Sequence, residues 1–303
     1  MNVTVAVPAT TANLGPGFDC LGLALGLYNR VTLREWDGLR VTVKGEGAGV
    51  LPLDRSNPMV QAVCHLFDSV GYRPAGLWLE QENGIPVAAG LGSSAAAFLG
   101  GLLAANALIG KPLQREEILA MATRLEGHPD NVASALYGGL VLVIHDEGRL
   151  VLDKIATPEM RVVVVLPDYA LPTVQARAAL PPQVPLADAV FNSGRLAMLI
   201  RALESGDYER LGAATEDRLH QPYRIPLIPG MADAFRAARA AGAAAATLSG
   251  AGPSIVAFAP ENHESIAEAI ARAFAREGLE SRRWILPIDR TGSVVAKVEE
   301  QAI

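Results

Sequence analysis

Four short segments carry residues whose types and spacing could do chemistry. The first is Pro86-Val87-Ala88-Ala89-Gly90-Leu91-Gly92-Ser93-Ser94-Ala95-Ala96. Gly90 and Gly92 let the backbone bend and approach a ligand closely. Ser93-Ser94 opens a helix, whose free first-turn amides and positive dipole end face one point. Phosphate suits such a point. The spacing is neither that of a Walker A loop nor GxGxxG. A Gly/Ser loop ahead of a helix is also an ordinary cap, so both readings stand for this segment alone.

The second segment runs from Pro8 to Asp19 and holds two glycines, Asn13 and Asp19. It is either a structured turn with an Asx cap or an amide and a carboxylate that recognise a polar, amine-bearing ligand. The third is Glu126-Gly127-His128-Pro129-Asp130-Asn131. Glu126 could hold Mg²⁺, which favours carboxylate and phosphate oxygens. Equally, His128 fits a satisfied loop histidine, and Asp130 or Asn131 the cap of the next helix. The fourth is Leu248-Ser249-Gly250-Ala251-Gly252-Pro253-Ser254, an ordinary hairpin turn that can also press backbone against a ligand edge.

Composition narrows the setting. The chain has 303 residues, half of them hydrophobic and 19% charged, enough for one large or two ordinary cores and too apolar for disorder. Lysine plus arginine total 26 against 32 acidic residues, a net charge of −6 that gives no basic footprint for nucleic acid. Cys20 and Cys64 stand apart with no metal-ligand spacing, so a disulfide scaffold or structural zinc is not expected. The first ten residues carry no signal-peptide pattern. The apolar stretch from Ala95 to Ala105 falls well short of the ~20 residues a membrane span needs. A soluble, cytoplasmic protein is the expectation.

The elements that must position the four segments follow from periodicity. Val3, Val5 and Val7 alternate with Thr4 and Ala6 in a strand that Pro8 is expected to stop. Further strands are expected over 23–34 and 39–44. Asn57-Pro58 starts a helix that Gly71 ends. A short strand around Leu77 and Leu79 precedes the turn Asn83-Gly84. Residues 93–109 read as a buried helix, 114–125 and 130–137 as two more, and 139–144 and 161–166 as buried strands. The stretch 146–159 reads as a linker, which divides the chain into domains at 1–150 and 151–303. Beyond it, helices are expected over 187–203, 207–219 and 231–241, a hairpin over 243–259, and a helix ending at Gly278. Strands and helices do not alternate strictly, so the class is α+β with mixed or antiparallel sheets.

In that order, PATTANLGPGFD, PVAAGLGSSAAA, EGHPDN and LSGAGPS resemble the motifs of the GHMP kinase superfamily, over essentially the whole chain from Val5 to about Phe258. The opening motif, EGHPDN and the segment Gln221–Gly230 resemble its homoserine kinase branch. The resemblance implies two domains, an N-terminal half like ribosomal protein S5 domain 2 and a C-terminal ferredoxin-like half. It implies ATP with its phosphates along Pro86 and Ala89–Ala96, and Mg²⁺ at Ser94 and Glu126. It implies L-homoserine at Asn13, Asp19, His128, Asn131, Arg177, Arg224 and Gly252, phosphorylated on its side-chain hydroxyl in threonine biosynthesis. Asn131 would orient the hydroxyl, with Asp130 as the alternative and Arg177 beside them in the catalytic group. A homodimer is implied as well.

The chemistry agrees with those roles, since Asp19 suits an ammonium and Arg177 or Arg224 a carboxylate. Two rival readings are another GHMP kinase, of mevalonate or diphosphocytidyl-methylerythritol type, and a non-catalytic sensor. A substrate without an amine would leave Asp19 without its cation, and a sensor has no need of a metal poised for transfer.

Overall fold

The computed structural model describes residues 1–299. In chain order it runs β1 (Asn2–Asn13), β2 (Gly17–Glu35), β3 (Leu39–Gly45), α1 (Pro58–Val70), β4 (Leu77–Asn83), α2 (Ser93–Leu108), α3 (Arg115–Glu126) and α4 (Asp130–Tyr137). Then come β5 (Leu140–Asp146), β6 (Arg149–Ile155), β7 (Arg161–Pro167), α5 (Thr173–Ala178), α6 (Leu186–Ser205), α7 (Tyr208–Ala214) and α8 (Gln221–Arg224). The chain ends with α9 (Met231–Ala240), β8 (Ala245–Leu248), β9 (Ile255–Phe258), α10 (His263–Arg276), β10 (Ser281–Pro287) and β11 (Val294–Glu299).

The strands form two sheets. The first has the order β11-β1-β2-β4-β3, with β5 paired to the start of β2 and β6 to β5. Among the described residues only β3 and β4 in it run parallel. The second has the order β10-β7-β9-β8, all antiparallel. Its chain order, strand, helices, two strands, helix, strand, is the split βαββαβ unit of a ferredoxin-like half. The α+β class with mixed sheets is therefore what the chain adopts.

Pro8 does not stop the first strand. It sits at a register shift in the β1–β2 ladder, the kind of irregularity at which a strand tolerates proline. The hairpin therefore continues to Asn13 and Gly17, and the opening motif lies at its tip rather than in a free loop. A second expectation also needs correction. A division at 150/151 cuts through β6, which pairs with β5 from Leu140 opposite Ile155 to Asp146 opposite Arg149. The apparent linker is thus half a hairpin, and β11 returns the end of the chain to the first sheet.

Two cores hold these layers. α2 is buried over most of its length, as its Ala/Leu composition requires, and lies among Val5, Leu33, Met59, Leu66 and Leu79. α9 and α10 cover the second sheet with Phe235, Ile266, Ile270 and Phe274. No helix among the described residues is long and apolar enough to cross a membrane.

Candidate active site

The two halves meet at one cavity of about 100 Å³. Its floor begins at the N-terminus of α2. Gly90 (φ +74°) and Gly92 (φ +69°) turn the chain into the helix, and Ala96 N–H closes the first helical bond onto Gly92 at 2.9 Å. The amides of Ser93, Ser94 and Ala95 precede that bond and point out of the helix start. Ser94 Oγ donates to Glu126 Oε2 at 2.6 Å, which brings a hydroxyl and a carboxylate together beside those amides.

α3 ends at Glu126, and the turn into α4 gathers His128, Asp130 and Asn131. The His128 ring stands 2.7 Å from Asp130 Oδ1 through Nδ1 and 3.7 Å from Glu126 Oε1 through Nε2. Burial, the strongest single influence on His128, pushes its pKa down. The hydrogen bond and charge of Asp130, with Glu126 and Asp19, outweigh it and lift the pKa above the ordinary value. Burial raises the Glu126 carboxyl, and the Ser94 hydrogen bond and His128 only partly offset it. Asp130 Oδ1 also accepts the Asn131 N–H at 2.9 Å. Thr10 Oγ1 donates to Asn131 Oδ1 at 2.8 Å, which leaves the Asn131 amino group to face the cavity.

The hairpin tip of β1 and β2 supplies Asn13 and Asp19. Both have positive φ, 69° and 56°, a conformation that Asn and Asp tolerate better than most residues. Asn13 accepts the Asp19 N–H through Oδ1 at 3.0 Å and donates through Nδ2 to Gly250 O at 2.9 Å. It therefore ties the tip to the turn after β8. Asp19 in turn makes a bidentate pair with Arg177, at 2.8 and 3.0 Å.

Arg224 is only 2% exposed yet has no carboxylate within ion-pair distance among the described residues. It donates instead to Ala176 O and Gly250 O, both at 3.3 Å. Burial, helped by Arg177, lowers its pKa to about 10. A buried guanidinium facing a cavity without a carboxylate beside it has the chemistry to take an anion.

The cavity brings together Asn13, Asp19, Ala89, Gly90, Gly92, Ser93, Ser94, Glu126, His128, Asp130, Asn131, Arg177 and Arg224, all named from sequence. Five others do not line it. Pro86, Leu91, Ala95 and Ala96 are buried, Leu91, Ala95 and Ala96 of them completely. Gly252 packs its carbonyl against Gly90, where a Cβ would come within 2.8 Å of it, and Gly250 and Ala251 line the cavity in its place. Ala88 and Thr173 also line it. Thr10, Phe18, Asp217 and His220 support the lining residues, and none of them was named as a site residue from sequence.

Known proteins match this architecture. The model for the GHMP kinases N terminal domain matches residues 57–139, and that for the GHMP kinases C terminal matches 199–279. A homoserine kinase of Moorella thermoacetica is 48% identical over 91% of this chain and 93% of its own. The chain belongs to the homoserine kinase family of GHMP kinases. Another member of that family, from Desulfitobacterium hafniense, is 40% identical over 97% of this chain and 99% of its own. The crystal structure of homoserine kinase from Cytophaga hutchinsonii superposes with a TM-score of 0.88 at 32% identity, covering 97% of this chain and 96% of that one. That superposition covers both halves of the chain.

Proposed function

We propose that this chain transfers the γ-phosphoryl group of ATP to the side-chain hydroxyl of L-homoserine, giving O-phospho-L-homoserine on the route to threonine. One observation carries the reading. A single cavity joins a phosphate-type helix start, with Ser94 and Glu126 beside it, to Asp19, Arg177 and Arg224. ATP is the donor expected of a GHMP kinase. A zwitterionic amino acid gives Asp19 an ammonium and the two arginines a carboxylate, so it replaces the Asp19–Arg177 pair with two new ones.

Ser94 Oγ and Glu126 Oε2 are hard oxygen donors of the kind Mg²⁺ prefers. No cluster of three or more His, Cys, Asp or Glu side chains among the described residues offers a closed cage. The pair would hold a Mg²⁺ together with phosphate oxygens and water. When bound, that ion neutralises charge on the phosphates during transfer. The chain's own residues do the rest by positioning. The α2 amides hold the phosphate end, Asp19 and the arginines hold the amino-acid end, and Asn131 orients the hydroxyl in line between them. Asp130 is already engaged by His128 and the Asn131 amide, which favours Asn131 over Asp130 in that role.

Coupled ADP release tests the reading directly. Purified protein with Mg-ATP should release ADP on addition of L-homoserine, and phosphorus NMR should show a new phosphate monoester. ADP release that homoserine does not stimulate would overturn it. Homodimeric assembly in the cytoplasm belongs to the same reading through family resemblance, and sedimentation velocity tests the dimer.

A further inference from the structure

The mechanism leaves one fully buried titratable group beside the site without a task. His220 has no solvent exposure and precedes α8, four residues before Arg224. Its Nε2 lies 2.7 Å from the carbonyl of Gly15, at the tip of the β1–β2 hairpin. Its Nδ1 lies 3.4 Å from Arg224 Nη1. The Phe18 ring stacks on the imidazole at 5.2 Å and 24°, with the Arg224 guanidinium 5.2 Å from the Phe18 ring centre. One side chain thus joins the first half's motif to the second half's buried cation.

Both partners have fixed roles, so the imidazole has only one workable form. A carbonyl can only accept, so Nε2 carries the proton. A guanidinium can only donate, so Nδ1 keeps its lone pair. Protonating Nδ1 would set N–H against N–H and place a second buried cation beside Arg224. Asp217 holds the ring's other side. Its Oδ2 is 3.5 Å from Nε2, and its carboxylate accepts the N–H groups of Leu219, His220 and Gln221 at 2.8, 3.0 and 2.6 Å. Asn192 Nδ2 donates to it at 2.7 Å as well. Asp217, on the segment before α8, favours the charged ring, whereas burial and Arg224 on α8 oppose it, and burial dominates. The His220 pKa accordingly lies below the ordinary value, with Asp19 on β2 a weaker upward influence.

We infer that His220 is a positioning residue for phosphoryl transfer. As the neutral Nε2–H tautomer it accepts one guanidinium proton of Arg224 and aims the rest of that fork at the carboxylate of the amino-acid substrate. The inference rests on the reading that Arg224 takes that carboxylate. Without the Nδ1 acceptor, the buried guanidinium keeps only its two carbonyl contacts, to Ala176 and Gly250, and loses the one that fixes its rotation from the side of His220. A hydrogen bond to a charged group is the kind of contact whose loss is felt in substrate binding.

Two isosteres separate the two nitrogens. In His220→Asn, Oδ1 takes the place of Nδ1 and still accepts from Arg224. In His220→Gln, Nε2 still donates to Gly15 but the acceptor is gone. His220→Gln should raise KM for L-homoserine about tenfold, the loss of one charge-assisted hydrogen bond. Its KM for ATP should stay close to wild type, and His220→Asn should recover most of the homoserine affinity. In an Arg224→Leu background His220→Gln should add nothing further to KM.

The failures are distinguishable. If Arg224→Leu leaves KM for homoserine unchanged, the reading of Arg224 itself is wrong. If Arg224→Leu raises it while folded His220→Gln and His220→Asn behave alike, or if His220→Gln adds its full effect in the double variant, the role of His220 is overturned alone. A measurement on the wild-type protein stands apart from whether the variants fold. Nitrogen-15 NMR of the His220 ring at neutral pH should show Nε2 protonated and Nδ1 bare. A ring protonated at Nδ1 would overturn the inference.

Discussion

Removing the Glu126 carboxylate should lower turnover more than removing the Ser94 hydroxyl, although the two groups touch. A carboxylate contributes charge to a Mg²⁺ site, whereas water can replace a neutral hydroxyl ligand. Glu126→Ala should therefore lose more than about tenfold in turnover, most visibly at limiting Mg²⁺, and Ser94→Ala less. A larger loss at Ser93→Ala than at Ser94→Ala would move the ligand by one position. His128 gives a test in pH. Its folded pKa lies above its unfolded one, so the stabilisation from Asp130 and Glu126 is fully present below the ordinary histidine pKa. It is lost as pH rises through the raised value. Melting temperature should fall more steeply from pH 6 to pH 8 in the wild type than in His128→Asn. Parallel slopes would mean that this histidine carries no net charge in the folded site. Most of these residues were legible through their motifs taken together, since each segment alone also read as an ordinary cap or turn. Thr10 and His220 were not, since a buried threonine in a strand and a lone histidine acquire meaning only from a partner over a hundred positions away.

Among the elements, the turn into α2 is closely packed. A Cβ on Gly90 would sit 2.3 Å from Ser249 O and 2.8 Å from Gly252 O, and its φ of +74° suits only glycine comfortably. Ser249 Oγ also donates to Gly90 O at 2.7 Å, so this point is where the loop before α2 and the turn after β8 lock together. Gly90→Ala should cost about 1–3 kcal/mol in backbone strain, with the clash added. Urea denaturation measures the loss, and KM for ATP should rise in the folded fraction. Unchanged stability would mean that the two loops are not in contact in solution. Helix boundaries were easy to read where caps were present. Asn57 accepts the Met59 N–H at 2.9 Å, and Gly71 takes a left-handed φ of 71°, as their positions in sequence implied. Strands were harder. β6 is half-exposed and charged, so it reads as linker until β5 pairs with it. The helix expected to run on to Leu219 stops at Ala214, and past it the Asp217 carboxylate gathers the Leu219, His220 and Gln221 amides into a turn.

At the scale of the molecule, the site belongs to neither half. Asn13, Asp19, Ser94, Glu126 and Asn131 come from the first sheet and its helices, and Thr173, Arg177, Arg224, Gly250 and Ala251 from beyond β7. The motifs named Asp19, Arg177 and Arg224 but not Thr173, Gly250 or Ala251 as site residues, and only the fold shows that Asp19 and Arg177 already hold each other. That pair sets the terms of substrate choice. A ligand with an ammonium and a carboxylate gives each partner a replacement. A ligand with a carboxylate alone must pull Arg177 away and leave Asp19 without its cation, and one with neither group leaves the pair closed and Arg224 without an anion. Arg224 is buried, and a buried charge left without its partner is costly, so discrimination should be large. With Mg-ATP, L-homoserine should be phosphorylated, and mevalonate and galactose should be nearly inert. L-Threonine keeps both charged groups but carries its hydroxyl one carbon nearer the α-carbon. It should compete with homoserine and react poorly, because its hydroxyl reaches the in-line position only by giving up an anchor. A panel of coupled ADP-release assays reads all four. Mevalonate turning over faster than homoserine would overturn the substrate assignment and leave the fold untouched, while threonine that fails to compete would show that the ammonium and carboxylate are not what the charged groups hold.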